Sequence, residues 1–73
     1  MSERLPVVTA KAVASVLLRA GFTELRQRGS HRIFALGKRR VIVPMHVGDL
    51  KPGTLKAILD AAGLTVDQLR KLL

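Results

Sequence analysis

Residues 22–44, FTELRQRGSHRIFALGKRRVIVP, decide the fold of this chain. The segment contains three strand-like stretches, which are separated by the pairs Gly29-Ser30 and Gly37-Lys38. Glycine-led pairs of this kind are typical of tight hairpin turns. We therefore predict three antiparallel strands that follow one another directly, over residues 22–28, 31–36 and 40–43, with Pro44 ending the third.

The first two of these strands differ in how clearly they specify a buried face. In the first, Thr23, Leu25 and Gln27 alternate with Phe22, Glu24 and Arg26, a polar pattern that predicts a sheet edge. In the second, alternation groups His31 with Ile33 and Ala35. A bulge after Gly29 would change that register, so the face that His31 occupies stays open at this point.

Helical patterns lie on both sides of the strands. Thr9 is a suitable N-cap for a first helix over residues 9–20, and Gly21 stands where that helix would stop. Pro52 suits the first turn of a second helix, which Gly63 closes after a loop over residues 45–51.

A capping box, Thr65-Val66-Asp67-Gln68, predicts a short last helix. The element order is then α-β-β-β-α-α. It predicts one α+β domain over residues 1–73, in which helices cover one face of a three-stranded antiparallel sheet to give two layers.

Composition restricts the class of partner. The 73 residues include 13 Lys and Arg against 5 Asp and Glu, for a formal net charge of +8, and they include no cysteine. Such a charge favours a polyanion, because nucleic-acid binding releases phosphate counterions. No apolar run is long enough to span a bilayer, and the first residues lack the apolar core of a secretory signal. We therefore expect a cytoplasmic protein that does not bind membranes.

The low aromatic content restricts how a nucleic acid could be bound. The chain has two Phe and neither Tyr nor Trp, so it cannot build the stacking platforms of single-strand readers. The chain must then act on a nucleic acid mainly through phosphate and 2′-hydroxyl contacts, or through chemistry. Residues 26–40 contain six basic side chains and no acidic one, and we predict that they form a nucleic-acid-binding region. The six are Arg26, Arg28, Arg32, Lys38, Arg39 and Arg40.

His31 lies inside this basic run. The ordinary pKa of histidine, about 6.5, lets its side chain accept and return protons near neutral pH. RNA cleavage needs a base for the 2′-hydroxyl and cations for the phosphate, which Arg28, Arg32 or Lys38 could supply. An ordinary half-exposed strand histidine remains the alternative. His46 is a possible auxiliary proton carrier or a structural loop residue. The sequence contains no metal-binding motif and no cofactor-binding motif, so we expect neither a metal nor a cofactor.

Five short motifs occur in an order that resembles the HicA (YcfA-like) toxin family. They are Gly21-Phe22, Gly29-Ser30-His31, Val43-Pro44-Met45-His46, residues 50–55 (LKPGTL) and Ala62-Gly63-Leu64. Each motif is weak alone, but five in this order make a specific signal, and the resemblance covers nearly the whole chain.

This resemblance implies a double-stranded-RNA-binding-domain-like fold and a metal-independent ribonuclease that cleaves mRNA. It also implies a HicB-type antitoxin partner, and it transfers the catalytic role to His31 of the Gly-Ser-His motif. Many members have a second histidine where this chain has Arg32. Around His31 we predict RNA contacts from seven residues: Arg28, Ser30, Arg32, Lys38, Arg39, Arg40 and Lys51.

Two other functions remain open from the sequence. One is a non-catalytic double-stranded-RNA-binding module, although its usual lysine cluster would here be reduced to Lys51 and Lys56. The other is a degenerate toxin that only binds its antitoxin.

Overall fold

The computed structural model describes residues 4–73 and confirms the predicted order of elements. The three strands form one antiparallel sheet in the order β1-β2-β3. The elements are α1 (Ala10–Arg19), β1 (Thr23–Arg28), β2 (His31–Leu36), β3 (Arg39–Pro44), α2 (Pro52–Ala62) and α3 (Val66–Leu72).

The strand boundaries differ slightly from those predicted. β1 begins at Thr23 and not at Phe22. The side chain of Phe22 is only 4% exposed and packs in the core. β3 is longer than residues 40–43, since Arg39 pairs with Leu36 and Pro44 pairs with His31. Both hairpins turn at a glycine, and Gly29 has a φ of 58°, the left-handed conformation that a two-residue turn of this kind requires.

A β-bulge in β1 shifts its alternation. Glu24 pairs with Phe34 of β2, whereas Arg26 pairs with Ile33, so Leu25 is the extra residue. Because paired residues share a face, the bulge places Glu24 and Arg26 on opposite faces of the sheet. The predicted grouping of these two residues was therefore wrong. The pairing of β2 with β3 is regular, which places His31 with Ile33 and Ala35.

One face of the sheet packs against the helices. Phe34, Val41 and Val43 are at most 1% exposed and share a core with the apolar faces of the three helices. Burial of this surface is the main stabilising contribution to the fold. The intervening residues of the strands are more exposed, and Ile42 reaches 55%. The structure is therefore two-layered, with one sheet face left without helices.

The helix ends follow the signals in the sequence. The hydroxyl of Thr9 accepts a hydrogen bond from the Ala12 amide, and Thr65 and Gln68 form the predicted capping box. Gly63 ends α2 in a left-handed conformation. Within residues 4–73, no helix is long and apolar enough to cross a bilayer.

The loop after β3 is tied to two other parts of the chain. The Met45 amide donates a 2.6 Å hydrogen bond to the Ser30 carbonyl in the β1–β2 turn. The Leu50 amide donates to the Val8 carbonyl just before α1. These bonds place the loop beside the end of the sheet at which β2 begins.

Candidate functional site

The helix-free side of the sheet, which we call the open face, is a grid of three rows across the strands. Strand pairing defines the rows from β1 to β3. They are Arg28, His31 and Pro44; then Arg26, Ile33 and Ile42; and then Thr23, Ala35 and Arg40. The face therefore combines one histidine and three arginines with a small apolar centre.

His31 lies at the end of the open face next to the Gly29-Ser30 turn. It is exposed, and its cross-strand neighbours are Arg28 and Pro44. Side chains directly opposite one another on antiparallel strands have Cβ atoms about 5 Å apart. A phosphate that contacts the Arg28 guanidinium can therefore lie within reach of the His31 imidazole. Ser30, also exposed, directly precedes His31.

Among the strand residues that the structure describes, no carboxylate lies on the open face. Glu24 is the one acidic residue of the three strands, and its side chain is on the helix-covered side. The negative charge of Glu24 is also compensated by Arg32, whose guanidinium donates hydrogen bonds to both carboxylate oxygens. This hydrogen bonding lowers the pKa of Glu24 and raises that of Arg32, so both groups stay charged. The charged side chains of the open face are consequently all basic.

Arg32 points away from His31 although the two are adjacent in sequence. It alternates to the helix-covered side, where its guanidinium lies 5.5 Å from the centroid of the Phe34 ring and is paired with Glu24. Its side chain is only 24% exposed. Arg32, which the sequence analysis predicted as an RNA contact, is therefore occupied by its ion pair with Glu24.

The other basic residues of the run lie on different faces of the sheet or in the second turn. Arg39 shares a face with Leu36, and its guanidinium donates to the Ala61 carbonyl at the end of α2. Arg40 is on the open face, and its guanidinium donates to the Gly37 and Arg39 carbonyls. Lys38 is exposed in the second turn. Since a strand rises about 3.4 Å per residue, this turn lies roughly 17 Å or more from His31.

His46 and Lys51 belong to a second region beside the sheet end. Both line an open cleft of about 410 Å³ between the loop after β3 and the start of α2, together with Asp49 and Thr54. His46 is exposed, and its amide donates to the Pro44 carbonyl. Because Pro44 is also the strand partner of His31, this cleft adjoins the histidine end of the open face.

The structure thus divides the predicted site residues. Arg28, Ser30 and His31 come together at one end of the open face, and the loop carrying His46 and Lys51 lies beside them. Of the remaining four, Arg32 and Arg39 lie on the helix-covered side, Lys38 lies in the far turn, and Arg40 lies on the open face near that turn. Arg26 was part of the basic run but not of the predicted contacts, and the structure places it on the open face. The Gly29-Ser30 hairpin alone accounts for this position, because it pairs Arg28 with His31 and Arg26 with Ile33 before the bulge is reached.

Comparison with protein families gives a match over most of the chain. The sequence model described as the HicA toxin of bacterial toxin-antitoxin systems matches residues 10–64, from the start of α1 to just beyond α2. The chain belongs to the HicA toxin family. This HicA chain is therefore a toxin-type protein of a toxin–antitoxin pair. No curated protein matches it.

Within the HicA match, all residues of the open face and of the adjoining cleft are included, whereas α3 lies outside it. The short last helix still contributes to this HicA fold, because Leu69 is fully buried in the shared core.

Proposed function

We propose that this HicA chain is a metal-independent endoribonuclease that cleaves mRNA in the cytoplasm, inhibits translation and growth, and is neutralised by a HicB-type antitoxin. The observation that supports this most directly is the position of His31. It is an exposed histidine on a cationic sheet face, opposite an arginine and with no carboxylate among its strand neighbours.

His31 acts in this proposal as the general base. It takes the proton from a ribose 2′-hydroxyl, and the 2′-oxygen then attacks the adjacent phosphorus. The bond from phosphorus to the 5′-oxygen breaks, and that oxygen takes up a proton. His46, a lysine or water can supply this proton. The products are a 2′,3′-cyclic phosphate and a 5′-hydroxyl end. The nucleophile comes from the substrate, so the reaction needs no metal-bound hydroxide.

Arg28 contributes the positive charge nearest to the reacting phosphate. As negative charge accumulates on the phosphate oxygens, a guanidinium held at this position stabilises the transition state more than the ground state. Arg26 and Arg40 extend the cationic surface along the sheet, while Ser30 and Lys51 lie at its histidine end. Lys38 is exposed and can reach RNA beyond the far turn. The hydrogen bonds of Arg32 and Arg39 leave these two less suited to phosphate binding.

The test compares the two histidines of the chain, both of which are exposed. Purified wild type, His31→Ala and His46→Ala are incubated with RNA in EDTA, and a 2′-deoxy-substituted RNA serves as substrate control. We expect wild type to cut only the ribose-containing RNA, leaving cyclic phosphate ends. We expect His31→Ala to lose cleavage and toxicity at unchanged Tm, and His46→Ala to retain at least part of both.

Two outcomes would contradict the proposal. If wild type binds RNA in a salt-dependent manner but never cuts it, the chain is a binding module or a degenerate toxin. If His31→Ala still cuts RNA at the wild-type rate, the base is another residue.

A further inference from the structure

The loop after β3 carries an acidic side chain at a position where RNA binding does not favour one. Asp49 lines the cleft that adjoins the histidine end of the open face, together with Lys51 and Thr54. A carboxylate at this position repels the phosphates that the neighbouring basic residues attract. Binding of the RNA backbone alone therefore does not explain Asp49.

Asp49 also lacks the basic partner that the other acidic side chains of residues 4–73 have. Those three form the ion pairs Glu24–Arg32, Asp60–Lys56 and Asp67–Arg70. Within the same residues, no salt bridge engages the Asp49 carboxylate. The backbone of Asp49 is nevertheless held in place, since it forms an antiparallel bridge with Thr9. An exposed carboxylate is therefore presented from a tethered loop and can bind a ligand in the cleft.

The base guanine matches this arrangement of polar groups. A carboxylate only accepts hydrogen bonds, and the base-pairing edge of guanine carries two adjacent donors, N1–H and the N2 amino group. The other three bases place an acceptor next to each donor on this edge, and a carboxylate repels that acceptor. The O6 oxygen of guanine accepts hydrogen bonds, and the Lys51 ammonium or the Thr54 hydroxyl can donate to it.

The cleft is large enough for one base. Its volume of about 410 Å³ falls within the range of roughly 300–1,000 Å³ that is usual for small-ligand sites. Pro44, Val47 and Leu50 supply apolar walls against which a base can lie. Both phenylalanines of the chain are buried, so selectivity in this cleft depends on hydrogen bonds more than on stacking.

We propose that this cleft is a base subsite for guanine and that the carboxylate of Asp49 reads the base. The guanine belongs to the nucleotide after the cut bond, because His46 and Lys51 line the same cleft and can protonate the departing 5′-oxygen. Cleavage then leaves guanosine at the new 5′-hydroxyl ends. This inference rests on the proposed function and deepens it, since it names the RNA sequence that the site selects.

The test compares Asp49→Asn with Asp60→Asn, which removes the same charge from an exposed position on α2. Both variants change the net charge equally, and thermal melts verify folding. A mixed-sequence RNA is cut in EDTA, and its 5′-hydroxyl ends are sequenced. In parallel, kcat/KM is measured on matched oligonucleotides that have guanosine, inosine or adenosine after the cut bond. Inosine differs from guanosine only in lacking the N2 amino group.

We expect wild type to prefer guanosine over adenosine about tenfold or more, and over inosine about threefold or more. Asp49→Asn should lose most of both preferences at unchanged Tm, because an amide places a donor where the carboxylate has its second acceptor. Asp60→Asn should keep both preferences. If Asp49→Asn does not fold, Asp49→Ser takes its place and must show the same loss.

Three outcomes would overturn the guanine subsite. They are the absence of a guanosine preference in wild type, its retention in the folded Asp49 variant, and an equal loss in Asp60→Asn. Failure of the proposed function gives a different result. If wild type does not cut RNA, binding of 2′-O-methyl oligonucleotides with the same three bases is measured. Tighter binding of guanosine that Asp49→Asn abolishes then supports the subsite without the ribonuclease, and equal affinities overturn both.

Discussion

The guanidinium of Arg32 on β2 binds the carboxylate of Glu24 on β1 through two hydrogen bonds, on the side of the sheet opposite His31. The pair joins the strands diagonally across the bulge at Leu25, because Glu24 is opposite Phe34 while Arg32 is opposite Gln27. It therefore fixes the position of β1, which carries Arg26 and Arg28, relative to β2, which carries His31. We regard Glu24 and Arg32 as positioning residues.

The ion pair predicts a pH-dependent contribution to stability. Its hydrogen bonding lowers the pKa of Glu24 in the folded protein, so Glu24→Gln should lower Tm at neutral pH. The stabilising contribution is fully present above the ordinary glutamate pKa of about 4.3 and is lost as pH falls through the lower folded-state pKa. Calorimetric melts of both proteins from pH 7 to pH 3 should therefore converge at the acid end. A constant difference across this range would contradict this role of Glu24.

Arg28 and Arg32 should differ in their contribution to RNA binding. Arg28 is exposed beside His31, whereas Arg32 is engaged with Glu24. Arg28→Gln should reduce the slope of log affinity against log salt by about 0.7 for a single-stranded RNA, the change expected for one lost phosphate contact. Arg32→Gln should leave the slope unchanged while lowering Tm. Titration of a 2′-O-methyl oligonucleotide at several salt concentrations distinguishes them, and equal slopes for the two variants would refute the assignment.

Substitution by alanine should lower the free energy of unfolding at Gly63 but not at Gly53. Gly63 has a φ of +70°, and an added Cβ would lie 2.7 Å from Cζ of Arg39. Gly63→Ala should therefore cost about 1–2 kcal/mol of unfolding free energy. Gly53, near the start of α2, has no atom within 4 Å of such a Cβ, so Gly53→Ala should be neutral or stabilise the protein by up to about 1 kcal/mol. Urea denaturation measures both values.

Two adjacent leucines of α1 test the packing between the layers. Leu17 is fully buried, whereas Leu18 is 48% exposed. Leu17→Ala should destabilise the fold by about 2–5 kcal/mol, enough to unfold much of a domain of this size. Leu18→Ala should change stability by less than about 1 kcal/mol. Chemical denaturation followed by circular dichroism measures both changes in the free energy of unfolding. Similar losses of stability for the two variants would mean that α1 packs against the sheet with a different face.

The elements of this fold could be predicted because their signals are local. The capping residues Thr9 and Thr65 and the turn glycines Gly29 and Gly37 act within a few positions of the chain, and all four behave as predicted. The exposure of His31 next to Arg28 also follows once the hairpin is known, since the turn makes these two residues strand partners.

The arrangement of the basic residues could not be predicted in the same way. The face on which Glu24 lies depends on a single extra residue, Leu25, and a bulge of this kind results from packing of the whole sheet. Arg39 was grouped with Arg40 because they are neighbours in sequence. In the structure it bonds to the Ala61 carbonyl, a contact across 22 residues that no local pattern encodes.

The two faces of the sheet also place different constraints on how this protein can change over generations. Phe34, Val41 and Val43 hold the core, and a substitution at any of them carries a large loss of stability. Ile42, between two of them, carries no such penalty. The open-face positions outside the Arg28–His31 end can therefore be exchanged one at a time while the core stays the same. Such exchanges would alter what the exposed surface of the sheet can bind without altering the fold that carries it.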